Sequence, residues 1–210
     1  MTSILKVDTI QDQAGNNIIN ESGDTITIGA SGDTITIPSG ATLSNLGTAT
    51  GFGKILQVVQ GTSSTAFTQS SASNSTTYYP SSNKLTASIT PSSTSSKIII
   101  NAIATVRADK DAGGSGDLGV ALVVKEIISG GSTTELYPTP NAYNAGMYIG
   151  INDASQVIRF RHNEIIYRTP STTSAITYEV GVFGYGSALS TLFLNGDSTR
   201  GEIILYEVQG

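Results

Sequence analysis

The sequence predicts an all-β protein, a short repeat-built β shaft followed by a jelly-roll-like β-sandwich head. Three observations predict it. Gly23-Asp24-Thr25-Ile26-Thr27-Ile28 recurs nine positions later as Gly32-Asp33-Thr34-Ile35-Thr36-Ile37. Downstream, short runs rich in Val, Ile, Thr and Tyr alternate with clusters of Ser, Thr, Asn, Gly and Pro, and no long apolar pattern of helical period occurs. Only 13% of the 210 residues are charged and glycine numbers 23, a mix that suits many turns and little helix.

Residues 1–14 read as an N-terminal attachment segment, with Leu5, Val7 and Ile10 as its apolar docking positions. Residues 15–50 read as the shaft. Each unit opens on a Gly-Asp or Gly-Asn turn, where Gly supplies positive φ and Asp or Asn tolerates the bend. Alternating β-branched residues then favour a strand, so Ile26, Ile28, Ile35 and Ile37 point one way and the threonines between them the other. Weaker copies, Gly15-Asn16-Asn17-Ile18 and Gly40-Ala41-Thr42-Leu43, flank the pair. Such a unit cannot bury its own apolar face. Four units are few for a single-chain solenoid. The expected solution is a homotrimer with those four isoleucines on its axis. Two buried Ile per repeat in three chains contribute on the order of 10 kcal/mol per layer, at ~1.5–3 kcal/mol each. Ordering the layer costs more, at ~1–2 kcal/mol per residue. A globular head is therefore expected to align the shaft.

The flexible connector Gly47-Thr48-Ala49-Thr50-Gly51-Phe52-Gly53 sets the boundary, with residues 51–210 as the head. Strands are expected at 54–60, 76–79, 85–90, 97–107, 117–128, 133–137, 145–151, 156–167, 175–185, 191–194 and 202–208. That number at that spacing predicts a sandwich. Ile98-Ile99-Ile100 and Val123-Val124 break strict alternation and suit strands covered on both faces, as at a subunit interface. Tyr78-Tyr79-Pro80 reads as core or interface.

The net charge of -5 and pI near 4.7 leave no basic stripe, so no nucleic-acid partner is expected. Cysteine is absent, which excludes disulfides and thiol chemistry. Neither a signal peptide nor an 18-residue apolar run is present, so no membrane insertion is expected. His162 is the only histidine and reads as a solvated residue at a strand end, since no Gly-x-Ser-x-Gly elbow accompanies it. Asp109–Asp117 superficially resembles a calcium loop but lacks its later acidic ligands, and reads as a mobile hairpin tip. Glu126, Glu135, Glu164 and Glu179 could in principle pair for glycoside hydrolysis, but nothing in the sequence makes two of them converge. No enzyme activity, metal or cofactor is expected. The aromatic residues are the better functional candidates. Tyr137, Tyr143 and Tyr148 cluster in a turn-rich stretch around Pro138 and Pro140. They suit receptor binding to a glycan or protein surface, or else plugging of the sandwich's open end.

Several segments carry a resemblance. Leu5-Lys6-Val7-Asp8-Thr9-Ile10-Gln11, the Gly-Asp-Thr-Ile-Thr-Ile repeats, Lys54-Ile55-Leu56-Gln57-Val58-Val59 and Pro91-Ser92-Ser93-Thr94-Ser95-Ser96-Lys97-Ile98 are similar to stretches of the short tail-fibre or appendage proteins of marine bacteriophages, cyanophages among them. The resemblance implies a virion fibre that is homotrimeric and bound by its N-terminus to other virion proteins of the tail, baseplate or adaptor. Its β-sandwich head would face outward for host adsorption to a cell-surface glycan or protein. The implied location is the virion surface, after assembly in the host cytoplasm. A capsid fibre or decoration without receptor role is the alternative, with a polysaccharide-depolymerising tailspike behind it. The resemblance brings no set of functional residues.

Overall fold

The computed structural model describes residues 9–11, 13–15, 17–22, 25–29, 31–42, 55–111, 116–137, 146–150 and 156–210. The chain divides into two compact units, Met1–Thr50 and Gly51–Gly210.

In the first unit, β1 (Thr9–Gln11), β2 (Asn17–Ser22) and β3 (Thr25–Ile28) form an antiparallel sheet in that order. Ile10 lies opposite Ile19, and Ile19 opposite Ile28. Directly paired residues share a face, so the three isoleucines make one apolar row across the sheet. Ile10, expected in the attachment segment, thus belongs to the repeat sheet; Leu5 and Val7 lie outside the described residues. The second repeat departs from expectation. Residues 33–38 form no strand, although Thr34–Ile37 repeats the sequence of β3. The reason is the ladder: β3 has β2 beside it, whereas the second copy has no neighbouring strand to exchange hydrogen bonds with. Ile26, Ile28, Ile35 and Ile37 are 68, 55, 60 and 50% exposed.

The head consists of two six-stranded antiparallel sheets. In the front sheet, β8 (Lys97–Lys110) pairs on one side with β12 (Val157–Arg168). On its other side lie β14 (Leu189–Leu194) and β15 (Gly201–Val208), end to end. Beyond these run β5 (Phe67–Ser70) and β4 (Ile55–Ser63). The back sheet is centred on β9 (Leu118–Ile128) and β13 (Ile176–Tyr185). Its flanks are again broken strands: β10 (Thr133–Tyr137) with β11 (Met147–Ile149), and β7 (Thr86–Ile89) with β6 (Thr76–Tyr78). Counting each broken strand once gives eight strands, ordered 1-8-3-6 in front and 2-7-4-5 behind. That is the order of a jelly roll.

Period-two alternation explains which side chains meet between the sheets. On β8 the even residues Ile98, Ile100, Ala102, Ala104, Val106 and Ala108 are fully buried. They face Leu118, Val120, Leu122 and Val124 of β9 and Ile176, Tyr178, Val180 and Val182 of β13 in one core. Gly61 of β4 shows how closely the two sheets approach at one edge. A Cβ there would sit 1.8 Å from the Thr86 carbonyl oxygen of β7, so no side chain fits. β5 was not expected, and a short 3-10 turn at Gly196–Ser198 separates β14 from β15. There is no α-helix among the described residues.

Candidate functional site

The outer face of the back sheet is built from odd-numbered residues, which alternation turns away from the core. Here Tyr148 pairs with Gly119, and Gly119 with Tyr185. The glycine between them leaves room for the two rings to meet, with centroids 6.1 Å apart and planes at 47°. Tyr148 is 45% exposed. Beside this pair, Ala121, Val123 and Phe183 form a second, smaller cluster against which Tyr79 and Tyr185 pack. The expectation of strands covered on both faces therefore holds for Val123-Val124, and the cover includes Tyr79.

The next row along is charged. Glu135, Lys125 and Glu179 are aligned across three strands. Lys125 Nζ lies 3.9 Å from the Tyr79 ring centroid and 3.3 Å from Glu179, which Lys84 also approaches at 3.1 Å. Burial pushes the Tyr79 phenol above its ordinary range, and the charges of Glu135 and Glu179 push the same way. The outer face is thus an aromatic strip, Tyr148, Tyr185, Phe183 and Tyr79, ending in an ion-paired margin.

Of the expected receptor residues, the structure places Tyr148 here. Tyr137 ends β10 opposite Val124; its side chain and all of Tyr143 lie outside the described residues. Sequence reasoning missed Tyr185 and Tyr79. A signal existed for Tyr185: aromatics at Phe183 and Tyr185 share one parity while Val180 and Val182 hold the other, as a strand covered on both faces requires.

His162 is corrected. It sits within β12, not at its end, and its side chain is only 12% exposed. β11 pairs with residues 118–120 of β9 and β10 with residues 124–127, which leaves the Leu122 N–H in the gap. That N–H donates to His162 Nδ1 at 3.0 Å, and Nε2 lies 3.2 Å from Glu164. Nδ1 accepts, so Nε2 carries the proton and points it at the carboxylate. The histidine fills a break in the sheet. Gly146 permits this, because a Cβ there would come within 2.3 Å of the imidazole. The turn-rich stretch between β10 and β11 accordingly interrupts an edge strand instead of capping the sandwich end.

The carboxylates do not converge. Glu126 points into the core side, where Arg168 Nη2 donates at 2.7 Å and the Tyr178 hydroxyl at 2.9 Å. Burial, and then the Glu126 charge, push the Tyr178 phenol above its ordinary range. Glu179 lies one residue further on the opposite face of the same sheet, so the two buried acids cannot flank one glycosidic bond. Among the described residues no three His, Asp or Glu side chains gather as a metal would need. A polar hollow of about 450 Å³, lined by Ser71, Ala72, Asp111, Leu189, Ser190 and Thr191, offers hydroxyls and one carboxylate.

No protein-family model matches the chain, and no curated protein matches it either. Among solved structures it is similar to a mutant VP2 protein of infectious bursal disease virus in derived T=1 particles: TM-score 0.33, 16% identity, 81% of this chain and 40% of that one. The structure of the Gx strain of the same virus gives 0.30 and 14%, over 98% of this chain and 46% of that one. This chain spans less than half the length of those proteins. Scores this low carry no argument about its role.

Proposed function

We propose that this chain is a structural and adhesive fibre protein of a virion. In this reading it is a homotrimer attached through its N-terminal segment to other virion proteins. Its head meets the host surface through the aromatic strip of the back sheet. The observation that carries the reading is the bare repeat: Ile26, Ile28, Ile35 and Ile37 stand 50–68% exposed, a condition that association of identical repeats relieves. The resemblance of the repeats and flanking segments to phage fibre proteins supports the virion setting. Tyr148 and Tyr185 support adsorption, since paired rings held on strands offer flat apolar area with hydroxyl edges and lose little entropy on binding a sugar or protein. Three copies turn weak single contacts into firm attachment.

The test is direct. Light scattering on the full chain is expected to give a trimer; a stable monomer sinks the reading. Tyr148→Ala plus Tyr185→Ala is expected to leave the trimer folded while adsorption to host cells drops by about tenfold or more through lost avidity. Unchanged adsorption by the folded variant removes the receptor role from this face.

A further inference from the structure

The front sheet's outer face is divided. Toward β14 it is polar and internally paired. Arg107 forks onto Asp109 at 2.6 Å and covers the Phe193 ring, Arg159 pairs with Asp197, and Arg161 donates to the Arg200 carbonyl. Toward the start of β4 it is apolar and bare. The register aligns Val58, Tyr206, Ile99 and Tyr167 in one row across four strands. The adjoining row is Gln60, Ile204, Asn101 and Ile165. Ile55, Leu56, Val58, Ile165 and Tyr167 are 59, 47, 55, 50 and 74% exposed.

We propose that this apolar half of the front sheet is the head-to-head contact between copies of this chain, a proposal that rests on the trimeric reading above and locates its second interface. Two arguments select a second copy as the occupant. The first is area. Three rows on four strands, at about 4.8 Å between strands and about 7 Å between alternate residues, cover roughly 400 Å². A stable interface takes about 800 Å² from each partner, so this patch holds only as one part of a larger contact. The exposed isoleucines of the repeat supply another part on the same chain. The second argument is connectivity. The patch begins at Ile55 and Leu56, the first described residues after the connector, so chains that associate through the repeat deliver their β4 strands together. A strand face buried this way also explains why β12, an edge strand, presents Ile165 and Tyr167 outward where charge would ordinarily guard it.

The experiment uses the full chain. Val58→Glu plus Tyr167→Glu places two charges per copy in the contact, and is expected to raise the concentration at which the trimer dissociates by about a hundredfold or more, with an unchanged circular dichroism spectrum. The native chain lacks cysteine, so a single spin label at Tyr167→Cys provides a second measurement on unperturbed protein. Labels there are expected to lie close together, and labels at Thr134→Cys on the back sheet far apart. A wild-type trimer whose variant dissociates no more readily, or whose Tyr167 labels are as distant as those at Thr134, overturns the patch and leaves the trimer standing. A monomeric wild type overturns both.

Discussion

In the N-terminal unit Ile26, Ile28, Ile35 and Ile37 are 50–68% exposed, whereas Ile98, Ile100, Ile158, Ile176 and Ile203 of the head are at most 1% exposed. The local pattern is the same in both: isoleucine at alternate positions of an extended chain. What differs is the second layer. β8 has a facing sheet about 10 Å away and closes its apolar side against it; the repeat sheet has one layer only. Alternation alone specifies a face, and a facing surface from elsewhere decides whether that face is core or contact.

Truncation sharpens that contrast most. Ile100 lies opposite both Leu205 and Ile166 and is fully buried. Ile100→Ala is expected to destabilise the head by about 2–5 kcal/mol, the lost transfer energy plus the cavity left behind. Ile26→Ala is expected to leave the head's unfolding transition within about 0.5 kcal/mol of wild type, as surface changes do. Its effect should appear only in the oligomer, as dissociation at higher concentration. Chemical denaturation at several protein concentrations separates the two. Equal losses in both variants at every concentration would break the comparison.

A smaller effect is expected where the head repairs its own sheet. His162→Ala removes the acceptor for the Leu122 N–H, which then lies in the gap between β10 and β11 without its partner. The expected cost is about 1–3 kcal/mol, the desolvation of an orphaned backbone group. Native-state hydrogen exchange should show it locally, as faster exchange at Leu122 than at the strand-paired amides on either side. Uniform exchange across β9 would mean the imidazole is a passive filler.

Much of this was legible in the sequence, for identifiable reasons. The all-β class and most strand positions followed from period two, because β8, β9, β12, β13 and β15 carry β-branched residues at alternate places and Ser, Thr, Gly or Pro between runs. What escaped depended on partners far away in sequence. The second repeat reads like β3, yet forms no strand because a ladder needs a neighbour that the sequence does not reveal. β5 was missed because Phe67-Thr68-Gln69-Ser70 has one apolar residue, and β14 supplies its pairing. His162 read as solvated since its acceptor role comes from Leu122, forty residues away. The aromatic strip was half visible: Tyr148 stood out by loop composition, but Tyr185 and Tyr79 join it only through the register of β9 and β13.

The smallest expected effect concerns Glu207, whose surroundings have no parallel in the described repeat. It is buried, and burial alone would raise its pKa. Hydrogen bonds from the Ser92 hydroxyl, the Ser96 hydroxyl, Gln57 and the Ser92 amide, at 2.5–2.6 Å, outweigh that and hold the carboxyl below its ordinary value of 4.5. These bonds tie the turn before β8 to β15. The sign of the pH dependence follows. The folded state binds the proton less readily than the unfolded one, so the stabilisation is full above the unfolded value and is lost as pH falls through the lower, folded one. Thermal unfolding followed from about pH 6 down to about pH 3 should therefore show a steeper loss for wild type than for Glu207→Gln, which has no proton to take up there. The variant should already be less stable near neutrality, because a neutral amide accepts these bonds less strongly than a carboxylate. The two curves are expected to converge in acid, and parallel curves would show that the Ser92–Glu207 network contributes geometry without charge.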